Sequence, residues 1–353
     1  MNEYFYDQVI IETPEERENK KRKQRRLFSR VFLALFIYMV ASQVLSTVIY
    51  TVAANVMPEE QYLAFANSTL WSIVLSCVVQ YVIAFPIFLL ALSGTEKAQY
   101  REKQKLSVSD FLLLFFAGQA LMLVGNIVGN ILNQVIGNVI GNLPENNIAT
   151  VISETPMWLI FLLMVIVAPI VEELMCRKLI IDRLSVYGDH MAIIFSAVAF
   201  GLLHGNLYQF FYATLLGALL GYVYTRTRDV RYTILMHMII NFLGSVVALP
   251  IEKAANEFYE LYDLLFSGKQ VNILSLFANG AIVTVYENIQ YGMLIGGLFV
   301  LWHLWKKRKF KINRDKEIYL PDGEIIKGGI VNVGSILFIL LCSVMMVLSI
   351  FLS

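Results

Sequence analysis

The stretch MWLIFLLMVIVAPIVEELMCRKLI, residues 157–180, begins as an apolar run and ends with two adjacent carboxylates, Glu172 and Glu173, and an arginine, Arg177. A membrane-spanning helix needs about 20 mostly apolar residues, and this run is typical of one. A charged side chain at the centre of such a span costs about 2.5–3.5 kcal/mol on insertion scales, so these groups are usually paired or functional. The stretch therefore predicts a membrane helix that carries a polar site.

The composition of the whole chain predicts a membrane protein. Of 353 residues, 58% are hydrophobic and only 16% are charged, with a mean hydropathy of +0.64, which excludes an ordinary soluble domain. Apolar windows predict about nine spans, at 30–54, 70–93, 110–140, 156–176, 191–206, 208–225, 232–249, 282–305 and 331–352. The predicted fold class is an all-α, polytopic membrane helical bundle.

The charges of the loops predict the orientation of this bundle in the cell membrane. Basic clusters lie at 20–26, 97–105, 225–231 and 306–316, whereas the loops between them are neutral to acidic. By the positive-inside rule the amino terminus is cytoplasmic, and nine spans place the carboxyl terminus outside. The clusters are interpreted as topology signals and contacts with anionic lipid, and no nucleic-acid site is expected.

The glycines of one segment and the three cysteines are predicted to serve helix packing. The segment 125–142 repeats a G-x-x-x-G spacing beside asparagines, which predicts close helix packing in preference to a polar groove wall. The three cysteines, Cys77, Cys176 and Cys342, have no CxxC spacing and are interpreted as apolar packing residues.

Helical spacing separates the two glutamates. Glu173 and Arg177 are four residues apart with the acid first, the favourable order for an ion pair, and Glu172 lies about 100° round the helix. One carboxylate is therefore assigned to Arg177 and the other is predicted to be free. Pro169 is expected to kink the helix and open backbone nearby. Taken alone, the pattern equally describes a structural ion pair with a spare acid at the membrane edge.

Two of the four histidines lie in predicted spans with helical partners. Phe200 and His204 are four apart, as are His237 and Asn241, so each pair shares a helix face. From the rise of 1.5 Å per residue, Glu172 and His204 are expected at the same level, and His237 and Asn241 converge with them if the 176–190 hairpin protrudes from the membrane. Four polar side chains in dry lipid would be too costly. The sequence thus predicts a conical, water-admitting polar cavity open to the cytoplasmic half.

These residue types suit peptide hydrolysis. A glutamate and a histidine can together activate water, the glutamate acting as general base, and a second histidine with an asparagine can donate hydrogen bonds to the oxyanion. Two histidines and a glutamate are also a common zinc set. Because H-E-x-x-H is absent and the asparagine suits hydrogen bonding, no cofactor is expected, with zinc as the alternative.

The three motifs EELMCR (172–177), FGLLH (200–204) and HMIIN (237–241) resemble those of the CAAX protease and bacteriocin-processing family, the intramembrane glutamic endopeptidases that include the Rce-type prenyl-protein endopeptidases. The resemblance covers about 155–250. It implies that Glu172 and His204 activate water and that His237 and Asn241 form the oxyanion hole. Glu173, Arg177 and Phe200 are then supporting residues. Many members have an aromatic residue and a glycine where this chain has Cys176 and Lys178, departures that concern substrate fit.

The hydrophobic pattern and the loop charges, together with the resemblance over about 155–250, predict a division of the chain into five segments. They are a basic cytoplasmic segment at 1–27, membrane helices at 28–150, the catalytic membrane core at 151–250, an outer loop with an interfacial helix at 251–281, and carboxyl-terminal membrane helices at 282–353 with a cytoplasmic loop at 306–329.

The leading hypothesis is an intramembrane endopeptidase that acts on a membrane-associated peptide or protein in a bacterial membrane. The alternatives are a zinc-dependent membrane protease using the same residues and a non-enzymatic bacteriocin-immunity or transport protein. Prenylated carboxyl termini, bacteriocin leaders and signalling peptides are all open as substrates, and so is the oligomeric state.

Overall fold

The computed structural model describes residues 12–99, 102–141, 152–307, 312 and 316–351, and the regular elements of this part of the chain are helical. The principal helices in chain order are α1 (Pro14–Val56), α2 (Glu59–Ala66), α3 (Thr69–Ala91), α4 (Val108–Ile140), α5 (Met157–Tyr187), α6 (Asp189–Leu203), α7 (Leu207–Thr227), α8 (Val230–Phe266), α9 (Ile273–Lys306), α10 (Asp322–Ile330) and α11 (Val333–Phe351). The predicted all-α class is confirmed.

Seven of the described helices are long and apolar enough to cross a membrane, namely α1, α3, α4, α5, α7, α8 and α11. The other two predicted spans are also helices. At 15 residues α6 is about 22 Å long, less than the roughly 30 Å of a bilayer core. α9 has 34 residues, but Glu287, Asn288 and Gln290 interrupt its apolar run. The chain is thus a multi-pass membrane protein, and the count of nine stays a prediction.

The predicted basic loops meet at one end of the bundle, here called the basic end. Hydrogen bonds join them to one another and to α10: Ala98 N to Asp182 O at 2.8 Å, Gln104 N to Thr227 O at 2.9 Å, Gln99 N to Glu317 Oε1 at 2.6 Å, and Arg17 Nη2 to Glu324 Oε1 at 2.6 Å. Sharing one end is what the positive-inside argument requires of these loops.

Helices α6 and α7 form a hairpin whose open side is at the basic end. Asp189 at the start of α6 accepts a hydrogen bond of 2.5 Å from Arg228 just after α7. The turn between the two helices, His204 to Asn206, therefore lies inside the bundle. His204, which falls in the predicted span 191–206, lies at the end of the helix, where it caps the carboxyl end of α6.

Glycines let α7 approach α4 closely. A Cβ atom at Gly125 would lie within 3 Å of the Tyr212 backbone, and one at Gly129 would lie 3.0 Å from the Leu207 carbonyl oxygen. The structure confirms that this part of the glycine-rich segment serves helix packing. The rest of that segment after Gly141 lies outside the described residues.

Two predicted boundaries of the chain differ from the helices observed. The segment predicted as a cytoplasmic loop at 306–329 contains the start of α10 in its last part, and its cytoplasmic location stays a prediction. α10 packs on α1, where Gln24 Nε2 donates to the Ile325 carbonyl at 2.6 Å. The segment boundaries predicted after residues 27 and 250 fall within α1 and α8. The helix expected in the outer loop is the continuation of α8 to Phe266.

The last helix runs parallel to the first. Gly334 N donates to Ser29 Oγ at 3.0 Å near the basic end, and farther along the two helices Cys342 Sγ lies 3.5 Å from Met39 Sδ. α1 and α11 therefore both run from the basic end towards the opposite end. If the α6–α7 hairpin crosses only part of the bilayer, the number of membrane spans falls by two. The two termini then still lie on the same sides of the membrane as before.

We predict that a topology reporter fused after Ser353 will report an outside location, because α11 ends opposite the basic end. The same reporter inserted at Gly94, in the loop after α3, should report the cytoplasm and serves as the control. A cytoplasmic signal from the Ser353 fusion would contradict the orientation.

Candidate active site

The backbone of α5 is widened on both sides of the α-helical turn Ala168–Glu173, which carries the two glutamates. Its segments Phe161–Val167 and Leu174–Ile181 are π-helical, and the Ala168 N–H donates to the Leu163 carbonyl, five residues back. In this register the next donor would be Pro169, which has no N–H. Pro169 therefore opens the backbone by leaving the Met164 carbonyl without a partner in its own helix.

Asn241 uses that carbonyl. Its Nδ2 donates to Met164 O at 2.8 Å, which joins α8 to the proline-opened turn of α5. Asn241 is one turn beyond His237, and the two side chains hold different partners. The amide that the sequence assigned to an oxyanion is held by the backbone in this state.

Glu173 is the centre of the charged cluster and is completely buried. Its Oε2 lies 3.0 Å from Arg177 Nε, which confirms the predicted ion pair, and its Oε1 lies 3.0 Å from His237 Nδ1. The second contact was not predicted from the sequence. One carboxylate thus holds a neighbour on its own helix and a histidine from α8.

Arg177 is also completely buried, and its charge has two neighbours. Neither Arg177 Nε nor Glu173 Oε2 meets hydrogen-bond geometry, so their contact is electrostatic. The terminal nitrogens have no hydrogen-bond partner within the described residues. The guanidinium carbon lies 4.6 Å from the centre of the Phe200 ring, a cation–π distance that stabilises the desolvated charge.

Phe200 packs against both imidazoles. Its ring centre lies 5.0 Å from that of His204 and 5.7 Å from that of His237, with interplanar angles of 90° and 89°. His204 Nδ1 is 2.7 Å from the Phe200 carbonyl oxygen, which can only accept a hydrogen bond. We therefore assign the proton to Nδ1, so Nε2 carries a lone pair. The predicted fixing of His204 by Phe200 is confirmed.

Glu172 is the accessible member of the acidic pair. Its side chain is 21% exposed, whereas that of Glu173 is 0% exposed. The prediction that Glu172 is free is wrong, because Tyr81 Oη donates to its Oε1 at 3.1 Å. Its Oε2 lies 3.9 Å from His237 Nε2, too far for a direct hydrogen bond and close enough for an oxygen atom to bridge.

The structure connects six of the seven predicted site residues through direct contacts: Glu172, Glu173, Arg177, Phe200, His204 and His237. Asn241 is connected to α5 by its hydrogen bond to the Met164 carbonyl. The sequence reasoning missed Tyr81 and the Met164 carbonyl, although both share a signal. Each lies in a π-helical segment, five residues before a proline, Pro86 or Pro169.

The glutamates and histidines of this cluster are residue types that also bind metal ions. Within the described residues, no group of three or more His, Cys, Asp or Glu side chains is placed to hold a metal ion. Both Nδ1 atoms are held, His204 by a carbonyl and His237 by Glu173, which leaves the Nε2 atoms as the possible ligands. As placed, the described side chains do not converge on one metal ion.

The fold and the site together define a multi-spanning membrane protein with an acid–histidine cluster between its helices. Residues 154–243 match the family described as Rce1-like, type II CAAX prenyl endopeptidase, so the chain contains a domain of this membrane peptidase family. The match confirms the resemblance carried by the three motifs.

A relative in Bacillus subtilis (strain 168), named "Putative membrane peptidase YdiL", is 27% identical over 205 residues, which cover 58% of this chain and 80% of the relative. No solved structure gives a significant match.

The two glutamates are expected to differ when they are replaced. Glu173→Ala should lower the yield of folded protein, because loss of one partner of a buried pair costs about 3–5 kcal/mol. Glu172→Gln, nearly isosteric and partly exposed, should leave the yield close to that of the wild type. Size-exclusion profiles and thermal unfolding in detergent measure both variants, and an equal loss of folded protein would contradict the assignment.

Proposed function

We propose that the chain is an intramembrane endopeptidase that hydrolyses a peptide bond in a membrane-associated peptide or protein, with water as the nucleophile. The observation that carries this proposal is the 3.9 Å gap between Glu172 Oε2 and His237 Nε2, beside a fully buried Glu173–Arg177 pair. The Rce1-like match at 154–243 supports the same reaction class.

Glu172 is the proposed general base. It is the glutamate of the pair whose side chain is partly exposed, and a base must lie within hydrogen-bond reach of the proton that it removes. The Tyr81 hydroxyl holds one oxygen of the carboxylate and leaves the other facing the gap. Since the Nδ1 proton of His204 is directed to the Phe200 carbonyl, its Nε2 lone pair is the proposed second acceptor for the same water.

His237 is the proposed oxyanion donor. Its Nδ1–H donates to the Glu173 carboxylate, which fixes the orientation of the ring, as a carboxylate does for a catalytic histidine. A protonated ring presents Nε2–H to the gap, where the oxygen of a tetrahedral intermediate would form. The proton taken by Glu172 then passes to the leaving amine as the carbon–nitrogen bond breaks.

The proposal is tested first at Glu172. Glu172→Gln keeps the shape and removes the basic oxygen, so peptide cleavage should fall by about 10²–10⁴-fold with unchanged folded yield. Mass spectrometry of membrane peptides from cells with the intact and the altered chain measures the effect. Glu60→Gln, an exposed carboxylate in α2, is the matched control.

Two outcomes of this experiment would favour the other functions. Full biological activity of Glu172→Gln would indicate a binding or immunity protein. Loss of wild-type cleavage in a chelator, with recovery on adding zinc, would indicate a metalloprotease.

Asn241 provides the second test. If its amide leaves Met164 O and donates to the oxyanion, Asn241→Ala should lower kcat by about 10²–10³-fold and change KM little. Asn241→Asp would place a carboxylate against the Met164 carbonyl oxygen and the developing oxyanion, so it should also be slow, with residual activity rising as pH falls. Activity of Asn241→Asp that increased with added zinc would overturn the water-only mechanism.

A further inference from the structure

A large cleft at the basic end lies away from the candidate active site. Its volume is about 860 Å³, and it is bounded by α1, the end of α3 and the residues that join α10 to α11. Five cations line it: Lys21, Arg22, Arg25, Arg26 and Arg30. One carboxylate, Glu18, also lines it.

The cations of this basic cleft divide into two groups. Lys21 pairs with Glu18 at 3.0 Å, and Arg30 donates to the carbonyls of Ala91 and Ser93 at the end of α3. Both are therefore held in place by the protein.

The other group consists of Arg22, Arg25 and Arg26, which are exposed. None of the three has an ion pair or hydrogen bond within the part of the chain that the structure describes. Three guanidinium groups at positions i, i+3 and i+4 of one helix repel one another, and a bound anion relieves that repulsion. Their planar forks match phosphate oxygens.

The part of the basic cleft farther along α1 is apolar and is called its apolar floor. Leu33, Ala34 and Ile37 line it from α1, together with Val331, just before α11, and Val333, the first residue of α11. From Arg26 to Ile37 the helix rises about 16 Å, from the charged start of α1 into its membrane-spanning part. Cations at one end and aliphatic side chains at the other suit an amphipathic anion.

We propose that this cleft binds an anionic phospholipid, with the headgroup phosphate on Arg22, Arg25 and Arg26 and the acyl chains along Leu33 and Ile37. The charge complementarity and the apolar floor together favour a lipid over a free anion. Basic pockets between membrane helices are known to hold anionic headgroups. A lipid here would contact α1, α3 and the α10–α11 connection at once, and so would stabilise their packing.

Native mass spectrometry of the purified full-length chain with equal amounts of phosphatidylglycerol and phosphatidylcholine tests the proposal. The wild type should retain phosphatidylglycerol about tenfold or more over phosphatidylcholine. The triple variant Arg22→Gln, Arg25→Gln, Arg26→Gln should lose that preference. The control Lys23→Gln, Lys97→Gln, Lys105→Gln removes the same charge from exposed positions outside the cleft and should keep it.

A second variant separates the lipid from a free anion. Ile37→Trp fills the apolar floor without touching the arginines, so it should lower phosphatidylglycerol retention at least about threefold. Inorganic phosphate at the lipid concentration should not displace the lipid. Equal loss in the two triple variants, unchanged retention in Ile37→Trp, or displacement by inorganic phosphate would overturn the proposal.

Discussion

The buried carboxylate of Glu173 is the constraint on which the site depends. Desolvating a single charge inside an apolar bundle is expensive, and Glu173 can be there because Arg177 and His237 both approach within 3.0 Å. Arg177 in turn needs the face of Phe200, since its terminal nitrogens have no hydrogen-bond partner among the described residues. The same ring packs against both imidazoles. Electrostatic compensation of one acid thus sets the relative positions of α5, α6 and α8, and it leaves Glu172 as the accessible carboxylate.

Pro169 determines the backbone contact of the candidate site. In a continuous α-helix buried carbonyls are satisfied internally, and a membrane offers no water to replace a missing donor. The π register before Pro169 releases the Met164 carbonyl, and Asn241 satisfies it from α8. The cost of an unpaired carbonyl in lipid therefore holds the two helices together. π-Helical segments are frequent at functional sites, and here the reason is visible: they provide a fixed acceptor without breaking the helix.

Local spacing predicted what lies within one helix and little of what lies between helices. The i,i+4 rule found Glu173 with Arg177 and Phe200 with His204, because both partners share a rigid turn. The rule could not predict the hydrogen bond from Tyr81 to Glu172. Helical periodicity shows which face of a helix a residue lies on, but not which residue of another helix packs against that face. The predicted span 191–206 ran past the end of the helix at Leu203 because the apolar window outweighed a local signal. Gly205 at φ +65° ends α6, and Asn206 caps α7 by accepting from Gln209 N.

The contact from Tyr81 shows that the Rce1-like segment alone does not complete the site. Tyr81 lies in α3, outside residues 154–243, yet its hydroxyl is a direct hydrogen-bond partner of Glu172. Its helix is held in turn by α1, where the rings of Tyr38 and Phe88 lie 6.3 Å apart, and by the Arg30 contacts at the basic end. A chain of direct contacts therefore runs from α1 through α3 to Glu172. Since Arg30 also lines the basic cleft, the same helix pair lies between the basic cleft and the candidate active site.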